Sequence, residues 1–370
     1  MRKYLVFLLA LGLLTLFAAP TSAQQTNIIA DGLNNPRGLY FDDNGVLWIS
    51  EAGTAGDFSG QVEGLGAVQF GGTARVLTVQ PGQAGAKFAV GGLPSAQGFD
   101  DMIGVNSIYA NKDGLWLVTG LGPLAEPFDE SVLNLDPKTF RVKQTIDLYS
   151  FEEANNPDQD VKMSDPVDIV QADDGTYYIA DASGNDVLTW TAKDGLKLWH
   201  VWMDLPVPTS IDIGPDGNIY VGFLSPFPYD PGSARIEEWS PDGKLLKTFS
   251  NLTAVTDVLV DDSGKLYAVE MASGYGDTGW IPDSGSVVQV TDSGTTPVAE
   301  NLAYPYRMAE SSNGALVVTV DSAFEQPGDG KVILISGELP TLASTAEAPS
   351  GAETSNGTVE APNSTPEASS

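Results

Sequence analysis

One pattern recurs six times along this chain and restricts the fold more than any other feature. An apolar strand runs into an Asp-Gly, Asn-Gly or Ser-Gly turn, and a second apolar strand runs back. Residues 208–228, PTSIDIGPDGNIYVGFLSPFP, show the plan most clearly, and further copies begin at Asn35, Val105, Pro166, Val255 and Pro305. Such dipeptides supply the positive φ that a tight turn between twisted strands requires. The turn glycines, Gly45, Gly114, Gly175, Gly217, Gly264 and Gly314, follow one another at intervals of 42 to 69 residues. That is the size of a propeller blade with loop insertions. Most copies continue into a third and a fourth strand, as at 186–202, 234–250 and 286–302. Four strands per unit and six units predict an all-β fold, a six-bladed β-propeller whose closure into a ring protects the sheet edges. The last unit stops near residues 331–335, one strand short, and residues 26–33 match the fourth strands of other units. The N-terminal strand is therefore expected to complete the last blade. Two smaller β-sandwiches are the competing fold, and even repetition along the body argues against them. One short helical or irregular insert is expected, at 151–163.

The ends of the chain differ from the body. Arg2 and Lys3 precede an apolar run from Tyr4 to Ala19, followed by Thr21-Ser22-Ala23, which predicts a signal peptide over 1–23 cleaved after Ala23. An uncleaved anchor is the alternative, because the run approaches the length that spans a bilayer. Residues 24–336 form the repeated body. From 337 to 370 Pro, Ser, Thr, Ala and Glu dominate and aromatics vanish, so this tail cannot bury enough apolar surface to fold. The expected location is secreted, periplasmic or at the cell surface, with no membrane span in the mature chain and a monomeric state. Lys and Arg number 18 against 49 Asp and Glu, a formal net charge of -31. A surface so acidic repels nucleic acid and anionic lipid, leaving cations, neutral sugars and apolar small molecules as partners. The absence of cysteine excludes disulfides, thiolate metal sites and thiol nucleophiles.

The recurring P-x-[GSD]-[ILV] start, [DN]-G turn, [IL]-[YW]-[IV] strand and E-A-G or D-A-S-G-N ending resemble the NHL-like and SMP-30-like propellers. More narrowly, NNPRGLYFDDNGVLWISEAG, PVPTSIDIGPDGNIYVGFLSPFPYDPGSARI and LTAVTDVLVDDSGKLYAVEM are similar to the ScyD/ScyE family of secreted bacterial propellers. The likeness covers about residues 27 to 336. It implies the propeller fold; that family has no agreed activity to carry over. Gluconolactonase-like relatives imply a further chemistry, in which a bound cation polarises a lactone or ester carbonyl and holds a nucleophilic water.

In a propeller the first-to-second and third-to-fourth connections share one face, and here these are uniform tight turns. The opposite, top face carries long and varied loops, the usual place for binding on a rigid ring. Those loops hold Phe58, Phe128, Phe227, Tyr229, Tyr275, Trp280 and Phe324. Such aromatics stack on a sugar or a flat apolar ligand, anchor a protein partner, or fold back as lids over satellite cores. Charged residues also recur in register: Arg37 with Glu51, Asp168 with Asp181, Asp257 with Glu270 and Arg307 with Asp321. At the open end of each hairpin they would form a rim around the channel. Two chemistries fit such a rim. Carboxylates are hard ligands for Ca²⁺ or Mg²⁺, with Glu51, Asp181, Asp257 and Glu270 as candidates; alternatively, Arg37–Glu51 and Arg307–Asp321 are structural pairs. The second and fourth copies break the pattern, with Asn106 and Thr119, and Ser210 and Phe223. The lone histidine, His200, falls on an outer strand, which speaks against a channel imidazole base. No catalytic residue is assigned. Two functions follow as expectations: a binding or scaffolding module meeting a small molecule or a protein at the top face, and a divalent-cation-dependent lactonase or esterase of the channel.

Overall fold

The computed structural model describes residues 27–62, 66–98, 101–120 and 128–340. The segment expected to be a signal peptide and residues 341–370 of the expected tail lie outside these residues.

The chain is an all-β propeller protein built of antiparallel sheets. Sheet one runs outward through Pro36–Phe41, Leu47–Glu51, Gly66–Val79 and Lys87–Gly98, with Phe58–Val62 and Asp101–Ile103 added to it. Sheet two comprises Val105–Asn111, Gly114–Thr119, Ser131–Leu135 and Val142–Asp147, and sheet three Pro166–Gln171, Tyr177–Asp181, Asp186–Thr191 and Gly195–Val201. Pro208–Ile213, Ile219–Phe223, Ala234–Trp239 and Leu245–Leu252 form sheet four; Val255–Val260, Leu266–Glu270, Gly285–Thr291 and Gly294–Leu302 form sheet five. Sheet six holds Met308–Glu310, Leu316–Val320 and Gly330–Ser336, and its outer strand is the N-terminal Asn27–Leu33, paired Asn27 to Leu334 and Leu33 to Gly330. The inner strands touch in chain order, and that of sheet one also touches that of sheet six.

The turns follow from local chemistry. Gly217 has φ +80°, where a side chain would be strained, and Asp216 accepts the Asn218 amide at 3.0 Å. Apolar residues alternate along each second strand and fill the gaps between sheets. Trp116 and Val118 of sheet two pack with Ile169, Tyr177 and Ile179 of sheet three, all at most 4% exposed. Gly38 marks a close approach of sheets one and two: a Cβ there would stand 2.6 Å from Ser50 Oγ and 2.8 Å from the Ile108 nitrogen.

A register shift recurs near the start of the inner strands. It lies between Pro36 and Leu39, Val105 and Ser107, Pro166 and Asp168, Pro208 and Ser210, and Val255 and Asp257. A bulge withdraws backbone groups from the ladder, and here the neighbouring sheet takes them up. Ser50 Oγ donates to the Val105 carbonyl at 3.0 Å, Asn106 Nδ2 to Pro166 at 2.9 Å and Thr209 Oγ1 to Val255 at 2.7 Å. These three bonds tie sheet one to two, two to three and four to five around the axis.

The helix expected within 151–163 lies at Leu148–Asn155, hereafter α1. Asp147 caps it by accepting the Ser150 amide at 2.9 Å, and the left-handed Asn156 ends it. After the last strand the Pro340 carbonyl accepts the Gly82 amide at 3.0 Å, and Glu338 accepts from Asn313 at 2.8 Å, holding residues 338–340 against the tight-turn face. Among the described residues no helix is long and apolar enough to cross a membrane.

Candidate ligand-binding face

Arg307 spans the channel. Its Nη1 donates to Asp168 Oδ2 at 2.7 Å and Asp257 Oδ1 at 2.8 Å, and its Nη2 to the Val167 carbonyl at 2.8 Å. The bulge of sheet three is what turns that carbonyl inward. One side chain from sheet six therefore fastens sheets three and five, and it is only 3% exposed. Burial alone would lower its pKa, but Asp168 and Asp257 outweigh that and raise it, so the guanidinium stays charged. The carboxylates are equally committed. Asp168 also accepts Ser107 Oγ at 2.7 Å and the Ile211 amide at 3.0 Å, and Asp257 accepts the Met308 amide at 2.8 Å. One turn of strand toward the tight-turn face, Asp212 takes the Val260 amide at 2.7 Å. Burial pushes its carboxyl up to about 7, with the charges of Asp257 and Asp168 adding to the rise.

The remaining rim residues sit elsewhere. Only inner strands face the axis; Glu51, Asp181, Glu270 and Asp321 lie at or just beyond the ends of second strands, one strand removed from it. There Glu51, Asp181 and Glu270 do one job, accepting the amide of the loop that enters their own sheet: Asn34 at 3.0 Å, Asp165 at 2.7 Å and Thr253 at 2.8 Å. Glu51 is paired with Arg75, and Asp321 with Lys331. The expected pairs Arg37–Glu51 and Arg307–Asp321 are thus replaced. Arg37 instead reaches Asp101 at 2.7 Å and lies 4.3 Å from the Tyr306 ring centre. The cation-ligand set Glu51, Asp181, Asp257 and Glu270 does not assemble, because each carboxylate is held at its own sheet by its own partners. Among the described residues no three carboxylates or imidazoles converge as metal ligands.

The top-loop aromatics do come together. The Tyr229 and Trp280 rings are tilted 31° to each other with centres 4.7 Å apart, Tyr275 meets Trp280 edge-on at 5.1 Å, and Phe227 meets Tyr229 and Tyr275 at 5.8 and 6.1 Å. Tyr275 and Trp280 are held opposite each other by a two-stranded ribbon, Tyr275–Gly276 with Gly279–Trp280. These four rings, with Tyr304, Tyr306 and Phe324, wall a cavity of about 880 Å³ above the Arg307 layer. Phe227 is 72% exposed, an unusual state for a phenylalanine with no partner over it. Leu224 and Met271 add apolar surface, and Asp101 and Asp277 carboxylates. A second cavity of about 510 Å³ lies on the tight-turn side and is lined by Tyr40, Tyr109, Asp168, Asp212, Asp257 and Arg307.

Phe58 stacks on Phe70 at 5.8 Å and Phe128 stands apart, so neither joins the cavity. Tyr304, Tyr306 and Thr256, which do, escaped the sequence reading; they enter inner strands in line with the bulges, and aligning those short segments would have found them. His200 lies on the outer strand of sheet three, 4.2 Å from the Trp239 ring and 4.6 Å from that of Trp202, and burial lowers its pKa.

No family model and no curated protein matches this chain. Solved structures do resemble it. A glucose dehydrogenase aligns with a TM-score of 0.51 at 13% identity, over 85% of this chain and 99% of that one. A protein of unknown function from Bacteroides thetaiotaomicron VPI-5482 gives 0.51 at 12%, over 84% and 72%. Virginiamycin B lyase from Staphylococcus aureus gives 0.46 at 13%, over 84% and 98%. At such identities the likeness concerns the fold, and it is that of the β-propeller class.

Proposed function

We propose that this six-bladed propeller, of the ScyD/ScyE kind and exported by its N-terminal segment, is a binding module that takes its ligand at the top face. The observation that carries this reading is the cavity walled by Phe227, Tyr229, Tyr275 and Trp280. Aromatic faces bind what presents a flat or weakly polar surface, and the Asp277 carboxylate adds orientation. The favoured ligand is a neutral sugar ring or an aromatic or cationic small molecule, since a protein of net charge -31 repels anions. A cation-dependent lactonase of the channel receives less support. Asp168 and Asp257 spend their oxygens on Arg307 and backbone amides, leaving little to hold a catalytic ion.

The test is a fluorescence and calorimetric titration with neutral oligosaccharides, aromatic amines and quaternary amines. Trp280→Ala and Tyr229→Ala should each weaken the best binder at least tenfold without lowering the thermal midpoint by more than a few degrees. Unaltered affinity in both variants, or hydrolysis of lactones dependent on Ca²⁺ or Mg²⁺, would replace this reading.

A further inference from the structure

The rings of the top-face cavity are arranged in a way that narrows what they can hold. Phe227, Tyr229 and Tyr275 stand steeply to one another, at 86°, 75° and 67°, with ring centres 5.5 to 6.1 Å apart, so no two of them stack. Parallel rings make a slot for a flat ligand. Rings set crosswise wall a corner, which suits a compact group touched from several sides. Phe227 and Tyr275 are 72% and 40% exposed, which leaves ring surface open to a ligand.

Much of the polar lining is already committed. Thr209 Oγ1 donates to the Val255 carbonyl at 2.7 Å, the Tyr304 hydroxyl donates to the Trp280 carbonyl at 3.3 Å, and Asp101 is paired with Arg37 at 2.7 Å. A sugar, which needs polar groups placed around its ring, is poorly served by what remains. Asp277 differs. It lies in the turn between the paired segments Tyr275–Gly276 and Gly279–Trp280, lines the cavity and is exposed. It has no hydrogen-bond or ion-pair partner among the described residues. No lysine, arginine or histidine is among the described residues that line this cavity. Burial and the charges of Glu325 and Asp283 raise the pKa of Tyr304 in the same wall, and those charges act equally on a ligand beside it. One ring of the wall already carries a cation, since the Arg37 guanidinium lies 4.3 Å from the Tyr306 ring centre.

An unpaired carboxylate beside crossed aromatic rings is an arrangement that recognises an ammonium group. On the reading that this face binds the ligand, we propose that the ligand is an organic cation, a quaternary or protonated amine, resting on Phe227, Tyr229 and Tyr275 with Asp277 as its counter-charge. The net charge of -31 draws such a cation toward the protein.

Calorimetric titration of the full chain with choline and butylammonium, each beside its uncharged counterpart, dimethylbutanol and butanol, tests it. At least one ammonium ion should bind about tenfold tighter than its counterpart, and its affinity should fall as salt is raised. Asp277→Asn should weaken that binding about threefold and Tyr275→Leu about tenfold, with the counterpart changed by less than about twofold. Should Tyr275→Leu fail to fold, Asp277→Asn and the salt dependence decide. Ammonium affinity that neither the folded variants nor salt alter overturns the proposal, as does equal affinity for an ammonium ion and its counterpart. A neutral oligosaccharide bound through Trp280, with neither ammonium ion bound, overturns the cation and leaves the binding face standing. The absence of any binder sensitive to Trp280→Ala overturns both.

Discussion

At the scale of single residues, the centre of the molecule depends on Arg307. Its charge is buried against two carboxylates from other sheets, and removing one partner of a buried ion set leaves the others uncompensated. Arg307→Met is therefore expected to cost about 3–5 kcal/mol in guanidinium unfolding. The triple variant Arg307→Met, Asp168→Asn, Asp257→Asn should recover part of that loss, because no unpaired charge remains. A single-variant loss below about 1 kcal/mol would show that water, not the arginine, compensates the aspartates. Repeat register placed Arg307, Asp168 and Asp257 near the axis from sequence alone. Their pairing was not legible, because the partners stand 139 and 50 residues away along the chain. Which blades an arginine reaches depends on side-chain length and on carbonyls freed by bulges. Glu51, Asp181 and Glu270 misled for a related reason: a repeat marks equivalent positions without telling whether they face the axis or the incoming loop.

At the scale of elements, strands and turns follow the repeat closely, because each hairpin is specified by its own alternation and its own glycine. The long loops are where pattern fails and chemistry remains readable. Four of the top aromatics converge, yet nothing in their spacing distinguished them from Phe58, which stacks on a neighbouring strand. The strand Asn27–Leu33 is the element with most at stake. It buries Ile29, Ala30 and Leu33, each at most 6% exposed, and covers the strand Gly330–Ser336, whose ladder groups would otherwise form an open edge. Removal of residues 27–33 is expected to lower the thermal midpoint by more than 10 °C and to produce soluble oligomers in light scattering. A peptide of those seven residues added in excess should reverse part of both effects. A truncated chain that stays monomeric with an unchanged midpoint would mean that sheet six holds without its outer strand.

For the whole molecule, the inward and outward charges answer pH in opposite senses. Asp136, exposed and held below its ordinary pKa by the backbone amides of its turn, favours the folded state above pH 4 and loses that effect in acid. Asp212 works the other way. Its carboxyl is pushed up to about 7 by burial in the channel and by Asp257 and Asp168, so the folded protein keeps this proton after the unfolded chain has released it near pH 4. The unfolded state then binds fewer protons across that interval, and stability falls as pH rises from about 4 to about 7. One pK unit corresponds to about 1.4 kcal/mol, and Asp212 is half-buried at the edge of the tight-turn cavity, where solvent screens part of the shift, so a loss on the order of 2 kcal/mol is expected. Asp212→Asn removes the titrating group while keeping an oxygen for the Val260 amide. In urea unfolding at pH 4.5, 6 and 7.5 the variant should lie below the wild type at the lowest pH and approach or exceed it at the highest. Parallel curves for the two proteins would assign the pH dependence to other groups, such as Asp257, whose carboxyl burial also pushes up to about 7, and not to Asp212.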